Sequence, residues 1–409
     1  MEHAEVGLQR KIKVLFIDHT AKLGGGELAL AALIRHLDSG LIEHSVLLWE
    51  AGPLVEMLRK FTSVAIEPLS GELREARKDQ LVSSKTETLR KGAELVCFVW
   101  RLSRTIKGSK VDLVHTNSLK SDILGGLASR LAGVRVVWHV RDRIEADYLP
   151  ARVVKIFRRL ARMIPHAIIA NSQTTLDTLQ LGSPDQAQSG RTPWKGVSRV
   201  IHDGFDFSMV SEMPMQTNFT IRVGLIGRIS PWKGQDVFLR AAAIVHRAFP
   251  QVRFQIIGSA MFGEEEYEKA IGKLCEELQL VDSVDFVGFI SDIHSEIAKL
   301  DLVVHASTIG EPFGQVVIEG MATRKAVIAT RGGGILEIVL DGDTGILVPM
   351  NDPTAMATAI LRLLSDPEER VAMGNRGFQR VVDYFRIEKT AAGVARFYQD
   401  LDTPDLKRS

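Results

Sequence analysis

Cysteine is scarce in this chain, with Cys97 and Cys275 its only two, far apart in 409 residues. Neither cysteine has a histidine at a spacing typical of a zinc site, so the sequence favours neither a disulfide framework nor a structural metal. This cysteine usage indicates a reducing compartment.

Long apolar runs are also missing. The segment Met1 to Lys11 is polar and mixed in charge, unlike a secretory signal. The apolar run near Leu95 to Trp100 is far too short to span a bilayer. We therefore expect a cytoplasmic protein.

An excess of one charge is the third feature that the sequence lacks. Lysine and arginine total 51, aspartate and glutamate 50, and the formal net charge is +1. No overall electrostatic field points to nucleic acid as a partner.

The length of the chain exceeds what one hydrophobic core usually organises, which predicts two domains of roughly 150 to 200 residues.

Short β-branched segments alternate with helix-sized segments along the whole chain, beginning with the strand Ile12 to Ile17 and a glycine turn. The rhythm restarts near Ile221, so we expect an α/β protein with two Rossmann-like domains, each a doubly wound parallel sheet. Ligands of such sheets bind where the strands end, which predicts a cleft between the domains. The predicted boundaries are a first domain 1–206, a linker 207–220, a second domain 221–385 and a C-terminal helix and tail 386–409. We expect the C-terminal helix to cross back to the first domain.

Two cations, Arg228 and Lys233, occupy one short loop directly after the first strand of the second domain. A guanidinium fork and an ammonium can both bind phosphate oxygens and neutralise charge that grows on a leaving diphosphate. Two unrelated surface cations would give the same pattern.

Two glutamates, Glu311 and Glu319, flank a strand-to-helix junction with seven residues between them. The helix starting near Gly314 offers free amides to phosphate or sugar oxygens. Glu319 lies among apolar residues, where a carboxylate needs a partner. Carboxylates accept hydroxyl hydrogens, which suits ribose or hexose diols.

Together and in this order, these motifs resemble glycosyltransferase family 4, whose members are retaining transferases with the GT-B fold. Besides the two loops, the resemblance depends on segments spread over most of the chain: Gly24-Gly25-Gly26-Glu27, Val137-Trp138-His139, Ala170-Asn171-Ser172, Ile201 to Asp206 and Asp341 to Pro349.

The resemblance implies that domain 1–206 binds the acceptor and that domain 221–385 binds the nucleotide sugar, and it also implies roles for individual residues. Arg228 and Lys233 would clamp the donor diphosphate, Glu319 would hold the ribose, Glu311 would bind hydroxyls of the transferred sugar, and His139 would lie beside that sugar. These roles make His139, Arg228, Lys233 and Glu311 the expected catalytic residues. The expected donor-binding residues are Gly25, Gly26, Gly227, Arg228, Lys233, Glu311, Phe313, Gly314, Gln315, Val316 and Glu319.

The family chemistry needs no carboxylate nucleophile, because the leaving phosphate itself can take the proton of the acceptor. No metal ion or other cofactor is expected, and Asp341-Gly342-Asp343 is interpreted as a turn. Alanine in place of Arg228 or Lys233 is expected to abolish transfer and leave thermal stability nearly unchanged, because both side chains would face ligand.

The acceptor stays open among small molecules, saccharides and lipids. The segment 151–162 alternates cations with apolar residues, which predicts either a helix with solvated cations on the first sheet or a peripheral membrane contact. Two other functions also fit the sequence, a nucleotide-sugar epimerase of the same fold and a non-catalytic nucleotide-sugar binding module.

Overall fold

The computed structural model describes residues 10–70, 85–182, 194–209, 220–261, 263–290 and 292–402, with the side chains of 85–89 left aside. Contacts divide the chain into two compact units. The first comprises Met1–Asp203 and Ile387–Ser409, and the second comprises Gly204–Arg386.

The first unit contains a parallel sheet of seven strands in the order β3-β2-β1-β4-β5-β6-β7. Its strands are β1 (Ile12–Asp18), β2 (Ile42–Leu48), β3 (Ser63–Ile66), β4 (Leu113–Thr116), β5 (Arg135–Val140), β6 (Ala167–Ala170) and β7 (Val197–Val200).

Helices cover both faces of this sheet, each with its own apolar core. On one face lie α1 (Gly25–His36), α2 (Pro53–Leu58) and the C-terminal helix. The other face carries α3 (Lys85–Ser109), α4 (Leu119–Ala132) and α5 (Ala151–Ala161), and the short α6 (Gln173–Thr178) follows β6.

The second unit contains a parallel sheet of six strands in the order β10-β9-β8-β11-β12-β13. Its strands are β8 (Arg222–Ile226), β9 (Arg253–Ile257), β10 (Val284–Gly288), β11 (Leu302–His305), β12 (Ala326–Thr330) and β13 (Ile346–Val348). The helices are α7 (Gln235–Ala248), α8 (Glu265–Glu277), α9 (Ile293–Ala298), α10 (Gln315–Ala322), α11 (Ile335–Ile338), α12 (Pro353–Ser365) and α13 (Pro367–Tyr384).

The C-terminal helix α14 (Ile387–Asp402) belongs to the first unit, as the sequence predicted. Val394, Phe397 and Tyr398 are buried in the same core as α1. The Tyr398 hydroxyl lies 2.6 Å from Nδ1 of His115 on β4, so the last helix also enters the polar interior of the unit.

Two doubly wound parallel sheets confirm the predicted fold class, and one strand was missed. β3 lies at the edge of its sheet, and its four residues are largely exposed, so it lacks a buried apolar run. Residues 210–219 of the predicted linker lie outside the described residues. Phe207, at the start of that linker, is partly buried and packs against the core of the second unit.

No helix in the described ranges is both long enough and apolar enough to cross a membrane.

Candidate functional site

The loop after β8 takes its shape from a close backbone contact. Pro231–Lys233 form one turn of 3-10 helix, and Gly234 follows with a φ of 71°. A Cβ at Gly234 would lie 2.0 Å from the carbonyl oxygen of Ala306, just past β11, so only glycine fits there. The contact holds Lys233 against the segment that follows β11.

Lys233 and Glu311 form a partly enclosed ion pair. The Lys233 Nζ donates to Glu311 Oε1 at 2.8 Å, and the two side chains are only 16% and 11% exposed. The other carboxylate oxygen accepts from Ser307 Oγ at 2.8 Å and lies 3.3 Å from His305 Nε2. Burial alone would raise the pKa of Glu311, but the charge of Lys233 and the hydrogen bond from His305 hold that pKa below its usual value. Glu311 is therefore anionic.

This ion pair revises the expected effect of Lys233→Ala on stability. Removing the ammonium would leave the buried Glu311 carboxylate without its cation, which is costly. We therefore expect Lys233 to stabilise the fold in addition to any role in ligand binding.

A glycine triplet, Gly332 to Gly334, packs directly against Glu311. Gly333 has a φ of 64°, and a Cβ there would lie 1.9 Å from the Glu311 carbonyl oxygen. The Gly334 amide donates to the same oxygen at 2.9 Å. Close backbone packing therefore explains the triplet, which fixes the turn that carries Glu311.

Helix α10 begins at Gln315 after the N-cap residue Gly314, as expected. Phe313 is buried beneath this turn, while Gln315 and Val316 are partly exposed. First-turn amides with no intrahelical partner are available to a ligand oxygen.

Glu319 lies one turn further along α10 and is partly exposed by surface area. Enough protein surrounds the carboxyl that burial raises the pKa of Glu319 to about 7. Among the described residues, none donates a hydrogen bond to this side chain. A donor from outside the protein would therefore favour its ionised form.

Gly227 and Arg228 complete the second-unit cluster. A Cβ on Gly227 would lie 3.8 Å from Lys233 Cδ, so the glycine borders the lysine stem. The Gly227 amide donates to the Ile257 carbonyl at 3.0 Å. Arg228 is partly exposed, and its carbonyl accepts from Gln235 Nε2 at 3.0 Å. The two cations of the motif thus belong to one ordered loop.

His139 lies at the end of β5 inside the first unit and is completely buried. Its Nδ1 is 3.2 Å from Arg141 Nη2, and arginine can only donate, so His139 Nδ1 is an acceptor and Nε2 carries the hydrogen. Burial and the charge of Arg141 hold the pKa of His139 well below its usual value, so the ring is neutral. Nε2 is buried without a hydrogen-bond partner.

The hydrogen bonds of His139 continue to two residues that sequence reasoning did not single out, His115 and Tyr398. His115 Nε2 lies 3.1 Å from His139 Nδ1 and must donate to it. His115 Nδ1 is then an acceptor, and the Tyr398 hydroxyl donates to it at 2.6 Å. Hydrogen-bond directions therefore run from Tyr398 through His115 to His139 and select one tautomer of each ring.

Arg141 is the centre of the remaining polar contacts. It forms a buried ion pair with Asp203 and donates from Nε to Asn117 Oδ1 at 3.0 Å. Asn117 in turn donates to Asp18 Oδ2 at 2.7 Å and to the Gly26 carbonyl at 3.2 Å. His139 and Gly26 are thereby joined in one network through residues that carry no recognisable motif.

Gly25 and Gly26 open helix α1, as expected. A Cβ on Gly25 would meet no atom within 4 Å, so its backbone is open to a ligand. Glu27 follows in the first turn, and burial together with the charge of Asp18 raises the pKa of Glu27 to about 7. In the sequence, Glu27 was recognised only as the last residue of the Gly24-Gly25-Gly26-Glu27 motif, and its raised pKa was not predicted.

Asp341 and Asp343 lie in a turn, and each pairs with an arginine, Arg331 and Arg376 respectively. Within the described part of the chain, no group of three or more histidine, cysteine, aspartate or glutamate side chains is arranged to hold a metal ion.

Comparison with known families places both units. The family described as "Glycosyltransferase Family 4" matches residues 23–186, and the family described as "Glycosyl transferases group 1" matches residues 219–380. The chain is a family 4-like glycosyltransferase.

Solved structures support the same assignment over the whole chain. This transferase resembles Anabaena HepE, solved in complex with UDP-glucose, with a TM-score of 0.79 and 26% identity, covering 95% of this chain and 100% of that one. Both units therefore belong to the GT-B fold.

Curated relatives match in part or over most of their length. A D-inositol 3-phosphate glycosyltransferase of Corynebacterium urealyticum is 35% identical over 44% of this chain, and the match spans only 43% of that relative. A second enzyme of that name, from Nocardioides, is 26% identical over 82% of this chain and 79% of its own length.

Proposed function

We propose that this glycosyltransferase moves a hexose-type sugar from a uridine diphosphate sugar to a small-molecule, saccharide or lipid acceptor, with retention of configuration and without a metal ion. The ion pair between Lys233 and Glu311, beside the amides that open α10, carries the proposal. The UDP-glucose complex of HepE supports the choice of nucleotide.

The two cations of the loop, Lys233 and Arg228, differ in their surroundings and therefore in their proposed roles. Lys233 and Glu311 together are neutral, so the pair orients an ammonium without adding net charge. Arg228, partly exposed on the same loop, is the second cation for a departing diphosphate. The two cations supply the stabilisation that a bound metal supplies in other transferases, which is why we propose a metal-independent reaction.

Glu311 is poorly suited to be a base or a nucleophile. Lys233, Ser307 and His305 contact its two oxygens, and its pKa lies below the usual value. A carboxylate stabilised as an anion accepts a proton weakly. This supports departure and attack on one face of the sugar, with the leaving phosphate taking the acceptor proton.

His139 contributes a hydrogen bond in this proposal. Its Nε2 hydrogen is buried and unpaired, and such a donor is costly unless a ligand completes it. A hydroxyl of the bound sugar would do so. Because the ring is neutral, it donates one hydrogen bond and does not serve as a general acid.

The proposal includes a cytoplasmic location, which is supported by both cysteines being free thiols. A lipid acceptor would in addition bring the helix 151–162 to a membrane surface.

A donor screen tests the function. Thermal shifts with uridine, guanosine and thymidine diphosphate sugars, each with and without EDTA, should show stabilisation by uridine compounds that EDTA leaves unchanged. Product NMR with an acceptor mixture should show the anomeric configuration of the donor. Epimer formation without acceptor would favour the epimerase, binding without any turnover would favour the binding module, and activity that returns only with magnesium or manganese would contradict metal independence.

A further inference from the structure

Helices α3, α4 and α5 lie on the same face of the first unit's sheet. Phe98 of α3, Ala128 of α4 and Phe157 of α5 are buried in a single core beneath it. Helix α3 packs along α4, and Arg130 of α4 donates from Nε to the Ile164 carbonyl, just past α5, at 2.7 Å. We call the exposed side of these helices, with residue 163, the three-helix face.

Large apolar side chains are exposed on this face, although the helices have a filled core behind them. Trp100 is 58% exposed and Leu131 is 67% exposed. The exposed set comprises Val96, Trp100, Leu127, Leu131, Ile156 and Met163. Several large exposed apolar side chains on neighbouring helices are typical of an interaction surface.

The cations of α5 fall into two groups. Arg158 donates to the carbonyls of Thr178 and Ile144 at 2.7 and 2.8 Å, and Arg162 donates to the Gln180 carbonyl, so both hold the fold together. The prediction that all cations of this helix are simply solvated was therefore wrong for these two.

The second group comprises Arg152, Lys155 and Arg159, whose side chains are exposed and make no hydrogen bond or ion pair with the described residues. Their spacing of three and four places them on one side of the helix with Ile156. The stretch 151–163 contains no acidic residue. On α3, Arg104 lies over the Trp100 ring at 4.9 Å and adds to the same charge.

This charge is local, because the whole chain carries a formal net charge of only +1. A polyanion such as nucleic acid would pair with the cations but leave Ile156, Met163 and Leu131 in water. A bilayer offers both anionic headgroups and acyl chains, and tryptophan favours the boundary between them. The mixture of exposed cations and apolar side chains matches that boundary.

We propose that the three-helix face docks the first unit on an anionic lipid surface. The proposal goes beyond sugar transfer and does not depend on it, since vesicle binding is measured without donor or acceptor. The sequence predicted a possible membrane contact through the segment 151–162 alone, and the proposed contact also includes α3 and α4.

Vesicle co-sedimentation of the full chain tests the proposal. The protein should bind vesicles of equal parts phosphatidylglycerol and phosphatidylcholine and should not bind phosphatidylcholine alone. The triple variant Arg152→Glu, Lys155→Glu, Arg159→Glu should bind the anionic vesicles on the order of 100-fold more weakly, because each cation contributes about fivefold at such a surface.

A matched control changes the same net charge elsewhere: Arg240→Glu, Arg247→Glu and Lys273→Glu on helices of the second unit, which are also exposed. It should bind like the unmodified chain. Vesicles should shift the tryptophan fluorescence, and Trp100→Phe should remove that shift. If the Glu triple variant melts early, the corresponding Gln variant replaces it.

Three results would overturn the proposal. The first is that the unmodified chain does not bind anionic vesicles. The second is that the triple variant and its control lose vesicle binding equally. The third is that the unmodified chain forms a dimer and binds no vesicles, while the triple variant is a monomer. Thermal shift by uridine diphosphate sugars in the triple variant separates the two proposals, since donor binding should be unaffected.

Discussion

The two units place polar residues at the carboxyl ends of their strands in opposite ways. In the first unit, neutral rings and a buried Arg141–Asp203 pair form an internal network that ends in one unpaired N–H. In the second, a partly exposed loop presents Lys233 next to Glu311, while Arg228 remains partly exposed. The first arrangement holds a hydrogen-bond donor in one orientation, and the second offers charge. Sugar transfer needs both.

Lys233→Ala should produce the largest effect, because it removes a phosphate ligand and the partner of a buried carboxylate. We expect transfer to be abolished and the free energy of unfolding to fall by about 3–5 kcal/mol. Chemical denaturation and a donor-consumption assay measure the two losses. The double variant Lys233→Met, Glu311→Leu should recover stability without recovering transfer. A melt unchanged in the single variant would show that Glu311 finds another partner.

Arg228→Ala should lower the transfer rate strongly and the free energy of unfolding only slightly. We expect the transfer rate to fall about 10²–10³-fold, as for loss of one transition-state donor. The unfolding free energy should change by less than about 1 kcal/mol, since the side chain is partly exposed. Arg228→Lys is the matched variant that keeps the charge and should retain part of the rate. Full activity in the alanine variant would remove Arg228 from the site.

Tyr398→Phe should disturb the first unit alone. Losing the hydroxyl leaves the buried His115 Nδ1 without its donor, at a cost of about 1–3 kcal/mol in stability. The expected kinetic signature is a lower kcat with little change in KM, because His115 could then take its other tautomer and stop donating to His139. Tryptophan-monitored denaturation and steady-state kinetics measure both. A loss of stability with unchanged kcat would make the chain from Tyr398 to His139 purely structural.

Glu319→Gln should have the smallest effect, seen in the pH dependence. A carboxyl whose folded pKa is raised to about 7 destabilises the fold as pH rises from its unfolded pKa, near 4.5, through 7. The variant should therefore be more stable than the parent at pH 8, by at most about 3 kcal/mol, and nearly equal at pH 4.

Donor affinity should show the opposite trend in the parent protein. An ionised Glu319 accepts ribose hydroxyls better, so binding should strengthen as pH rises through 7 and flatten in the Gln variant. Glu27 also has a pKa of about 7, so the difference between parent and variant, not the parent profile alone, is the measurement. Identical profiles would exclude Glu319 from the donor site.

Sequence reasoning did best where one residue type has one physical use. Alternating strands and helices predicted both sheets, and Gly314 predicted the start of α10. It failed at β3, which is an exposed edge strand. His115, Arg141 and Tyr398 were not recognised, because they come together from β4, the end of β5 and the last helix. Nothing in the spacing of those residues shows that they meet.

The sequence by itself determined the two α/β units, the family and the loop with two cations, because periodicity, glycine turns and short motifs are local properties of the chain. Only the tertiary structure decided that Lys233 pairs with Glu311 and that Arg141 sets the tautomer of His139, with which the contacts of His115 and Tyr398 agree. It also decided which cations of α5 bind carbonyls and which stay exposed. Those outcomes depend on burial and on distances between residues far apart in the chain, and these exist only after folding.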